Sequence, residues 1–401
     1  MFQKLFSILL VILSLLTVFF GNRQSPSSQT PVPETAVTET EDTQQTITVA
    51  IRSINKHGNV ILETTFEALK EANIEVSDII TVFAGENAFD LPVGTSFTDV
   101  SSGGMVCRFD LEDNEVALAI NMGDFASVTG IAEKQTIDEN PGYRWEIKTP
   151  EVQLMLKEKR GYFDEYTVRN LTRTDAREDY AHLTDAQFAN FRAVAADAIR
   201  PQTLYRSSSP LDPSIGRSAF AMAAMEQAGV RTVINLTDAA AAMKNNAAFA
   251  NSYYSTCAVI YPEMSYDFES AAFAGKVRDS VLFLLANDGP YLVHCKEGKD
   301  RTGIFCAILE CFAGADWNAV ATDYMLTYSN FYGIRPTDTV YSLILRENLL
   351  KTLGNLFGTE NIETANLKNC AAQYLRSIGL SAQQLEQLTE TLAAKEGPVA
   401  K

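Results

Sequence analysis

The sequence predicts two folded regions, a small mainly-β, barrel-like domain followed by an α/β domain whose central sheet is flanked by helices. Residues 47–158 carry short runs in which every second residue is apolar, the pattern of half-buried strands. Over residues 186–395, apolar strand-like runs alternate with helix-like stretches, which is typical of an α/β sheet covered on both faces. Residues 291–314 combine a short apolar strand, a tight loop and a helix, and the α/β domain is organised around them.

The first 46 residues differ in composition from the rest of the chain. Lys4 precedes an apolar run over residues 5–20, which has signal-peptide length and is shorter than a comfortable membrane span. Residues 22–46 are rich in Ser, Thr, Gln, Pro and Glu, and we expect a disordered spacer there. The pattern predicts an exported protein, secreted or in the cell envelope. Residues 1–21 are either cleaved or retained as an anchor, and membrane contact is expected only through them.

The predicted accessory domain covers residues 47–158. Residues 105–111 and 115–121 flank the turn at 112–114 as a hairpin, and residues 152–156 alternate as a further strand. One helix is expected at residues 66–72. These elements predict a barrel or half-barrel that acts as an accessory or oligomerisation surface. Residues 159–185 are polar and charged and form a connecting segment that contains the domain boundary.

The α/β domain is predicted from four apolar runs. These strands are expected at residues 203–206, 231–236, 257–260 and 291–294, with helices between them. The last strand leads into a loop, and the carboxyl ends of strands are where open α/β sheets bind ligands. After the loop, a helix is expected to bury one apolar face, formed by Ile304, Ala307, Ile308 and Cys311.

The loop after residue 294 has the composition of a phosphate cradle. Cys295 and Arg301 bracket five residues, and Gly298 lets the chain wind tightly between them. Backbone N–H groups and the start of the following helix favour an anion at this point. Arg301 offers a two-pronged donor for phosphate oxygens, and the local field favours Cys295 as a nucleophilic thiolate. Thr302 is placed to donate a hydrogen bond to the sulfur.

The run HCKEGKDRTG, residues 294–303, resembles the signature HCxxGxxR-Ser/Thr of the cysteine-dependent protein tyrosine phosphatase superfamily. Its GKDRTG form is similar to the bacterial branch of tyrosine and lipid phosphatases. The stretches NFRAV, LYRSSSP, VRTVINLTD and DYMLTYSN resemble that branch in the same order, as do the closing helices. The resemblance implies a tyrosine-phosphatase-like sheet and a phosphoric monoester hydrolase that works through a phosphocysteine intermediate.

The resemblance also implies roles for individual residues. Cys295 is the expected nucleophile and Arg301 the transition-state clamp, while His294 is expected to be structural and to hydrogen-bond the loop. Phosphoinositide phosphatases of the superfamily carry lysines where this chain has Lys296 and Lys299. The predicted phosphate-binding set is His294, Lys296, Glu297, Gly298, Lys299 and Thr302.

The sequence offers two principal candidates for the general acid and does not decide between them. Expulsion of the leaving oxygen needs a carboxylic acid above the phosphate. Asp300 lies inside the signature, where the bacterial branch carries a candidate acid. Asp267, in YPEMSYDFES, matches the acid-bearing loop of the wider superfamily in order and spacing. Asp238 and Glu263 are further carboxylates to consider.

Composition narrows the substrates and cofactors. The formal net charge of −17 argues against nucleic acid as a partner. Three histidines without paired spacing, and no CxxC, argue against a metal-dependent phosphatase, so no cofactor is expected. The first predicted substrate is a phosphotyrosine protein, with dual-specificity or phosphoinositide activity close behind. A cysteine-phytase-like inositol polyphosphate phosphatase is the alternative, followed by an inactive phosphate-binding module.

Overall fold

The computed structural model describes residues 46–137, 142–194 and 198–393. The predicted signal or anchor segment, residues 1–21, and residues 22–45 of the predicted spacer lie outside the described residues. Within those three described ranges, no helix is both long and apolar enough to span a membrane. The described chain begins in the first strand of a β-barrel.

A closed barrel of seven strands forms the first part of the described chain. The strands up to its end are β1 (Thr46–Ile54), β2 (Val60–Leu62), β3 (Ile79–Ala84), β4 (Asn87–Gly94), β5 (Met105–Asp110), β6 (Glu115–Ile120), β7 (Ala132–Thr136), β8 (Tyr143–Ile147) and β9 (Glu151–Glu158). The barrel order is β1-β2-β6-β5-β4-β3-β9, and β7 and β8 pair as a separate hairpin. This closed barrel confirms the predicted barrel-like domain.

Alternation along each strand fills the barrel interior. On β9, Val152 and Leu154 are buried whereas Glu151 and Gln153 are exposed, because successive side chains point to opposite faces. The predicted helix at residues 66–72 is α1 (Phe66–Glu71), and Thr65 caps it by accepting a hydrogen bond from the Ala68 backbone N–H. A second short helix, α2 (Phe125–Thr129), follows β6.

The second part of the chain is built on a five-stranded sheet. Its strands are β10 (Arg192–Ala193), β11 (Leu204–Ser207), β12 (Thr232–Asn235), β13 (Ala258–Ile260) and β14 (Tyr291–His294). Their order is β10-β11-β14-β12-β13, with β10 antiparallel and the other pairs parallel. The strand that carries the signature, β14, is therefore central. The prediction of an α/β sheet is confirmed.

Helices cover both faces of this sheet. The helices of this part of the chain are α3 (Phe163–Arg169), α4 (Asp185–Phe188), α5 (Ser218–Gln227), α6 (Ala240–Lys244), α7 (Ala271–Ala286), α8 (Asp300–Ala313), α9 (Trp317–Tyr332), α10 (Thr339–Ile344), α11 (Lys351–Phe357), α12 (Leu367–Ser377) and α13 (Ala382–Leu392), with a π-helical turn at Leu345–Leu350. Val293 lies in the cluster with α7, α8 and α9, whereas its neighbour Leu292 lies in the cluster with α5. Because successive residues of a strand point to opposite faces, β14 contributes side chains to the hydrophobic clusters on both sides of the sheet.

The helix after the signature differs from its prediction. The sequence predicted one buried face, but every residue of α8 from 301 to 313 is buried. The reason is its position, since α8 contacts the central sheet on one side and α9, α12 and α13 on the others. A helix that is surrounded in this way needs no polar stripe. Gly314, the predicted stop, ends the helix in the left-handed conformation.

Candidate active site

The signature loop connects the end of β14 to the start of α8. The strand ends at His294 and the helix begins at Asp300, so residues 295–299 turn at the carboxyl edge of the sheet. Gly298 has φ of +67°, and a Cβ placed on it would lie 2.1 Å from the carbonyl oxygen of Ser207. The loop therefore requires glycine at this position for both its backbone conformation and its close approach to β11.

The loop is held from behind through its carbonyl oxygens. Arg206, buried on β11, donates from Nη2 to the carbonyl oxygen of Gly298 at 2.9 Å. Asn190 donates to the carbonyl oxygens of Glu297 and Gly298, each at 3.3 Å. The Ser209 backbone N–H donates to the carbonyl oxygen of Lys296 at 3.0 Å. Among the described residues, the N–H groups of loop residues 296–299 have no such protein partner, so they remain available to an anion.

The two principal predicted residues lie at the two ends of this loop. Cys295 is 4% exposed and Arg301 is 9% exposed, so both lie at the base of the site. Arg301 donates from Nη2 to the hydroxyl of Tyr266 at 3.1 Å and from Nη1 to the carbonyl oxygen of Met264 at 3.3 Å. Its guanidinium also lies 4.6 Å from the centroid of the Tyr266 ring. The loop that carries Asp267 is thus packed directly on the clamp residue.

The predicted hydrogen bond from Thr302 to the sulfur is not made. The Thr302 hydroxyl is buried and, within the described chain, has no hydrogen-bond partner. Thr302 belongs to the first turn of α8, where the helix rather than the loop sets the direction of its side chain. A buried hydroxyl without a partner is energetically costly, so Thr302 carries an unsatisfied polar group among the described residues.

His294 supports the loop in the structural role expected for it. Its Nε2 lies 2.7 Å from the Tyr254 hydroxyl, and its Nδ1 lies 3.3 Å from the carbonyl oxygen of Cys295. Because that carbonyl can only accept, Nδ1 carries the hydrogen and Nε2 accepts from Tyr254. Complete burial lowers the pKa of His294 to about 4, against a weaker opposing effect of the bond to Cys295. The neutral ring thus positions the first residue of the loop.

A comparison with protein families identifies the family of the α/β domain. The sequence model of the tyrosine phosphatase family matches residues 186–394, which include the five-stranded sheet and the signature loop. The chain belongs to the tyrosine phosphatase family. It is a phosphoric monoester hydrolase of that type. No curated protein matches the chain.

Several solved structures are similar to parts of this phosphatase. P. aeruginosa TpbA in complex with phosphotyrosine is 18% identical, over 50% of this chain and 96% of that one, with a TM-score of 0.25. The core catalytic domain of the PP-IP phosphatase SIW14 from S. cerevisiae is 15% identical, over 40% of this chain and 85% of that domain, with a TM-score of 0.26. An uncharacterized conserved protein from Thermotoga maritima is 17% identical, with a TM-score of 0.23. The match covers 34% of this chain and 43% of the Thermotoga protein.

The two candidate acids of the phosphatase lie on different elements. Asp300 is half-buried at the start of α8, with its carboxylate 3.8 Å from the Lys299 ammonium group. Asp267 is exposed on the loop whose Met264 and Tyr266 contact Arg301. The choice between them stays a prediction. Asp238 instead accepts a hydrogen bond from Asn235, which also donates to Tyr254 behind His294.

The two signature lysines of the phosphatase are not equivalent. Lys296 is exposed and forms no ion pair within the described residues. Lys299 lies 3.2 Å from the carboxylate of Glu297 and donates to the Tyr332 hydroxyl at 3.3 Å. Burial alone would lower the pKa of Lys299, but the carboxylates of Asp300 and Glu297 outweigh it and raise that pKa. Glu297 is therefore available to phosphate through its backbone N–H, while its carboxylate is already engaged.

Several residues of the site have no signal in the signature. Arg206 and Arg192 both bind Asp323 of α9, at 2.5 and 2.7 Å, and Arg206 also holds the loop. Arg173 donates to Glu297 at 2.6 Å across 124 positions of sequence. The sequence shows these residues only as scattered charges, because their pairing depends on packing between distant elements. Tyr266 is the exception, since it stands beside the predicted Asp267.

Proposed function

We propose that this phosphatase is exported and hydrolyses phosphotyrosine in proteins through a phosphocysteine intermediate. The observation that carries the proposal is the loop of residues 295–299, held from behind through its carbonyl oxygens, with Cys295 at one end and Arg301 after it. This arrangement leaves amide donors and a guanidinium for a phosphate, and a thiol beside them.

The reaction follows in two steps. The Cys295 thiolate attacks phosphorus, the bond from phosphorus to the tyrosyl oxygen breaks, and Asp267 or Asp300 gives that oxygen a proton. Arg301 and the loop N–H groups stabilise the equatorial oxygens during the transfer. Water then attacks the phosphocysteine and gives a proton to the same carboxylate. The phosphorus–sulfur bond breaks, which releases inorganic phosphate and restores the thiolate.

An aromatic substrate is favoured by the mouth of the site. Tyr266 is 53% exposed and lies against Arg301, so its ring is available to flank the ring of a phosphotyrosine. Such aromatic pairs contribute about 0.5–1.5 kcal/mol beyond their buried area. A polyphosphorylated ligand would need several free cations instead. Two of the three Lys299 donors are engaged by Glu297 and Tyr332, so Lys296 is the loop lysine whose charge is unpaired within the described chain.

The alternative substrate class is an inositol phosphate or a phosphoinositide. Besides Arg206, which holds the loop from behind, four cationic side chains belong to the signature or contact it, namely Arg173, Lys296, Lys299 and Arg301. If ligand binding drew Glu297 away from Lys299, this set would suit several phosphates on one ring.

One preparation assayed on three substrates decides between these classes. We expect the highest kcat/KM on a phosphotyrosine peptide, a lower value on a short-chain phosphoinositide and the lowest on inositol hexakisphosphate. Cys295→Ser should lose more than about a thousandfold of each activity, as expected when a covalent nucleophile is removed. Turnover of inositol hexakisphosphate alone would contradict the phosphotyrosine assignment. No turnover by the unmodified protein would favour a phosphate-binding module.

Export is supported by the composition of residues 1–46 and is tested separately. The full-length chain is expressed with its own first 46 residues in a bacterial host, and the cell fractions are assayed for the protein. We expect it outside the cytoplasm, with residues 1–21 either absent by mass spectrometry or holding the protein in the membrane fraction. Protein found only in the cytoplasm, at full mass, would contradict export.

A further inference from the structure

The segment between the barrel and the family-matched region is hydrogen-bonded to the end of α9. The Tyr180 hydroxyl lies 2.6 Å from the carbonyl oxygen of Thr174 and 2.8 Å from that of Phe331. Arg217 is fully buried, and its guanidinium lies 3.8 Å from the Phe331 ring centroid and 4.8 Å from that of Tyr180. The residues around 174–180 are therefore built into the catalytic domain, although the family match begins only at residue 186.

These contacts place Arg173 next to the signature loop. Its Nη2 donates to Glu297 Oε1 at 2.6 Å, and its Nη1 donates to the Tyr332 hydroxyl at 2.9 Å. Nε donates to Asp175 Oδ1 at 3.0 Å, so all three nitrogens of the guanidinium have a partner. The side chain is only 14% exposed. A planar, charged fork that donates to three partners is held in one orientation.

Arg173 and Lys299 share two of their partners. The second oxygen of Glu297 lies 3.2 Å from the Lys299 ammonium group, which also donates to the Tyr332 hydroxyl. Burial alone would raise the pKa of Glu297, but Lys299 and Arg173 outweigh it and lower that pKa, so the carboxylate stays charged. Two of the three ammonium donors of Lys299 are thus directed by groups that Arg173 fixes.

We propose that Arg173 is a positioning residue of the active site. It holds Glu297 and Tyr332 in place, and these two groups hold Lys299 so that its remaining donor serves a substrate oxygen next to the scissile phosphate. Without Arg173, Glu297 is free to turn both oxygens toward Lys299 and to withdraw it from substrate. The catalytic domain of this phosphatase therefore includes the connecting segment, and that segment influences substrate binding.

A double-mutant cycle tests this role, which rests on the phosphatase activity proposed above. Arg173→Ala should raise KM for a phosphotyrosine peptide about 5- to 20-fold and change kcat less than about twofold, since it acts on binding. In a Glu297→Gln background the same change should alter KM less than about twofold, because the shared carboxylate charge is already gone. Arg173→Lys keeps the charge and loses the fork, so its KM should lie between the KM of the unmodified protein and that of Arg173→Ala.

A matched control and a binding assay complete the test. Arg346→Ala removes an arginine that pairs with Asp164 and Glu347 and does not contact the loop, and it should leave KM and kcat unchanged. In a Cys295→Ser background, calorimetry should show the peptide bound about 5- to 20-fold more weakly with Arg173→Ala than without it. If Arg173→Ala fails to fold, Arg173→Lys carries the same comparison in both assays.

The outcomes separate the two proposals. Equal peptide affinity with and without Arg173, or an Arg173→Ala effect of the same size in the Glu297→Gln background, would overturn the positioning role. Absence of turnover by the unmodified chain would overturn the proposed function instead, while the calorimetric comparison would still test Arg173.

Discussion

At the scale of single residues, Gly298 is the position where the backbone permits least change. A Cβ there would lie 2.1 Å from the Ser207 carbonyl oxygen and 2.4 Å from its carbon, and neither atom belongs to a side chain that can turn away. The φ of +67° adds a conformational cost for any residue with a Cβ. Gly298→Ala should therefore displace the loop and lower kcat/KM by about a hundredfold or more.

The control for that change is a second glycine of the same domain. Gly275 lies within α7, and a Cβ placed there has no heavy atom within 4 Å. Gly275→Ala should keep full activity and add about 0.5–1 kcal/mol to the free energy of unfolding, since alanine is the better helix residue. Steady-state kinetics and urea unfolding measure both effects. Unchanged kcat/KM in Gly298→Ala would contradict the proposed loop geometry.

His294 gives a pH dependence of stability. The unfolded chain binds a proton on this ring below its ordinary pKa of 6.5, whereas the folded protein does so only near pH 4. The folded protein therefore loses stability as pH falls from about 6.5 to about 4, by about 3 kcal/mol for this group. His294→Asn removes the titration, so its free energy of unfolding should fall less steeply over that window. Parallel curves for the two proteins would show that the ring is not buried neutral.

The choice between Asp300 and Asp267 is testable by leaving group. The general acid is needed most for a poor leaving group, so its removal should lower kcat about 10²- to 10⁴-fold on phosphotyrosine and less on para-nitrophenyl phosphate. Asp300→Asn and Asp267→Asn are compared with Asp279→Asn, whose carboxylate is exposed beside Arg278 on α7. If both variants keep the phosphotyrosine activity of the control, neither carboxyl group is the acid.

At the scale of elements, local motifs were predictable and long-range pairings were not. The strand at residues 291–294 was predicted with its observed bounds, because an apolar run followed by the signature defines it locally. The burial of α8 on all sides was missed, since it depends on α9, α12 and α13 closing around the helix. The contact of Arg173 with Glu297 was missed for the same reason, because 124 positions separate them and no motif joins them.

The ion cluster that joins β10 and β11 to α9 illustrates what such pairings do. Burial alone would raise the pKa of Asp323, but the guanidinium groups of Arg192 and Arg206 outweigh it and hold that pKa well below its usual range. Asp323→Asn would deprive Arg206 and Arg192 of the carboxylate that binds both of them. We expect a loss of about 3–5 kcal/mol in the free energy of unfolding.

The same substitution should also affect catalysis, because Arg206 holds the Gly298 carbonyl oxygen as well as Asp323. Denaturant unfolding and kcat are therefore measured on one preparation. The control is Asp338→Asn, which removes a surface pair with the exposed Arg335 and should cost about 1 kcal/mol or less. Equal stability losses in the two variants would show that the buried cluster does not stabilise the fold, and an unchanged kcat in Asp323→Asn would show that it does not brace the loop.

At the scale of the whole molecule, the barrel and the phosphatase sheet are joined by structured chain. Helix α3 follows the barrel, and its Asp164 pairs with Arg346 in the π-helical turn of the second domain. The next residues supply Arg173 to the active site. The connecting segment was predicted from its polarity, but its structural role was not, because polar composition alone does not distinguish a solvated linker from a buried ion network.

The net charge of the whole molecule repels a phosphorylated substrate. The chain carries a formal net charge of −17, and a phosphorylated substrate is also an anion. The opposing cations are local, at Arg301, Lys296, Lys299 and Arg173, and two of these are paired with Glu297. Long-range repulsion should therefore slow the encounter at low ionic strength, while short contacts in the loop are screened less.

Ionic strength separates these two effects. The Debye length falls from about 30 Å at 0.01 M salt to about 8 Å at 0.15 M. For a phosphotyrosine peptide with acidic flanks, kcat/KM should rise over that range by about 3- to 10-fold, whereas for a peptide with lysine flanks it should fall. The two peptides share one phosphate, so any competition by chloride at the loop is common to both. A fall in kcat/KM for both peptides by the same factor would show that the local cations, rather than the net charge, govern the encounter.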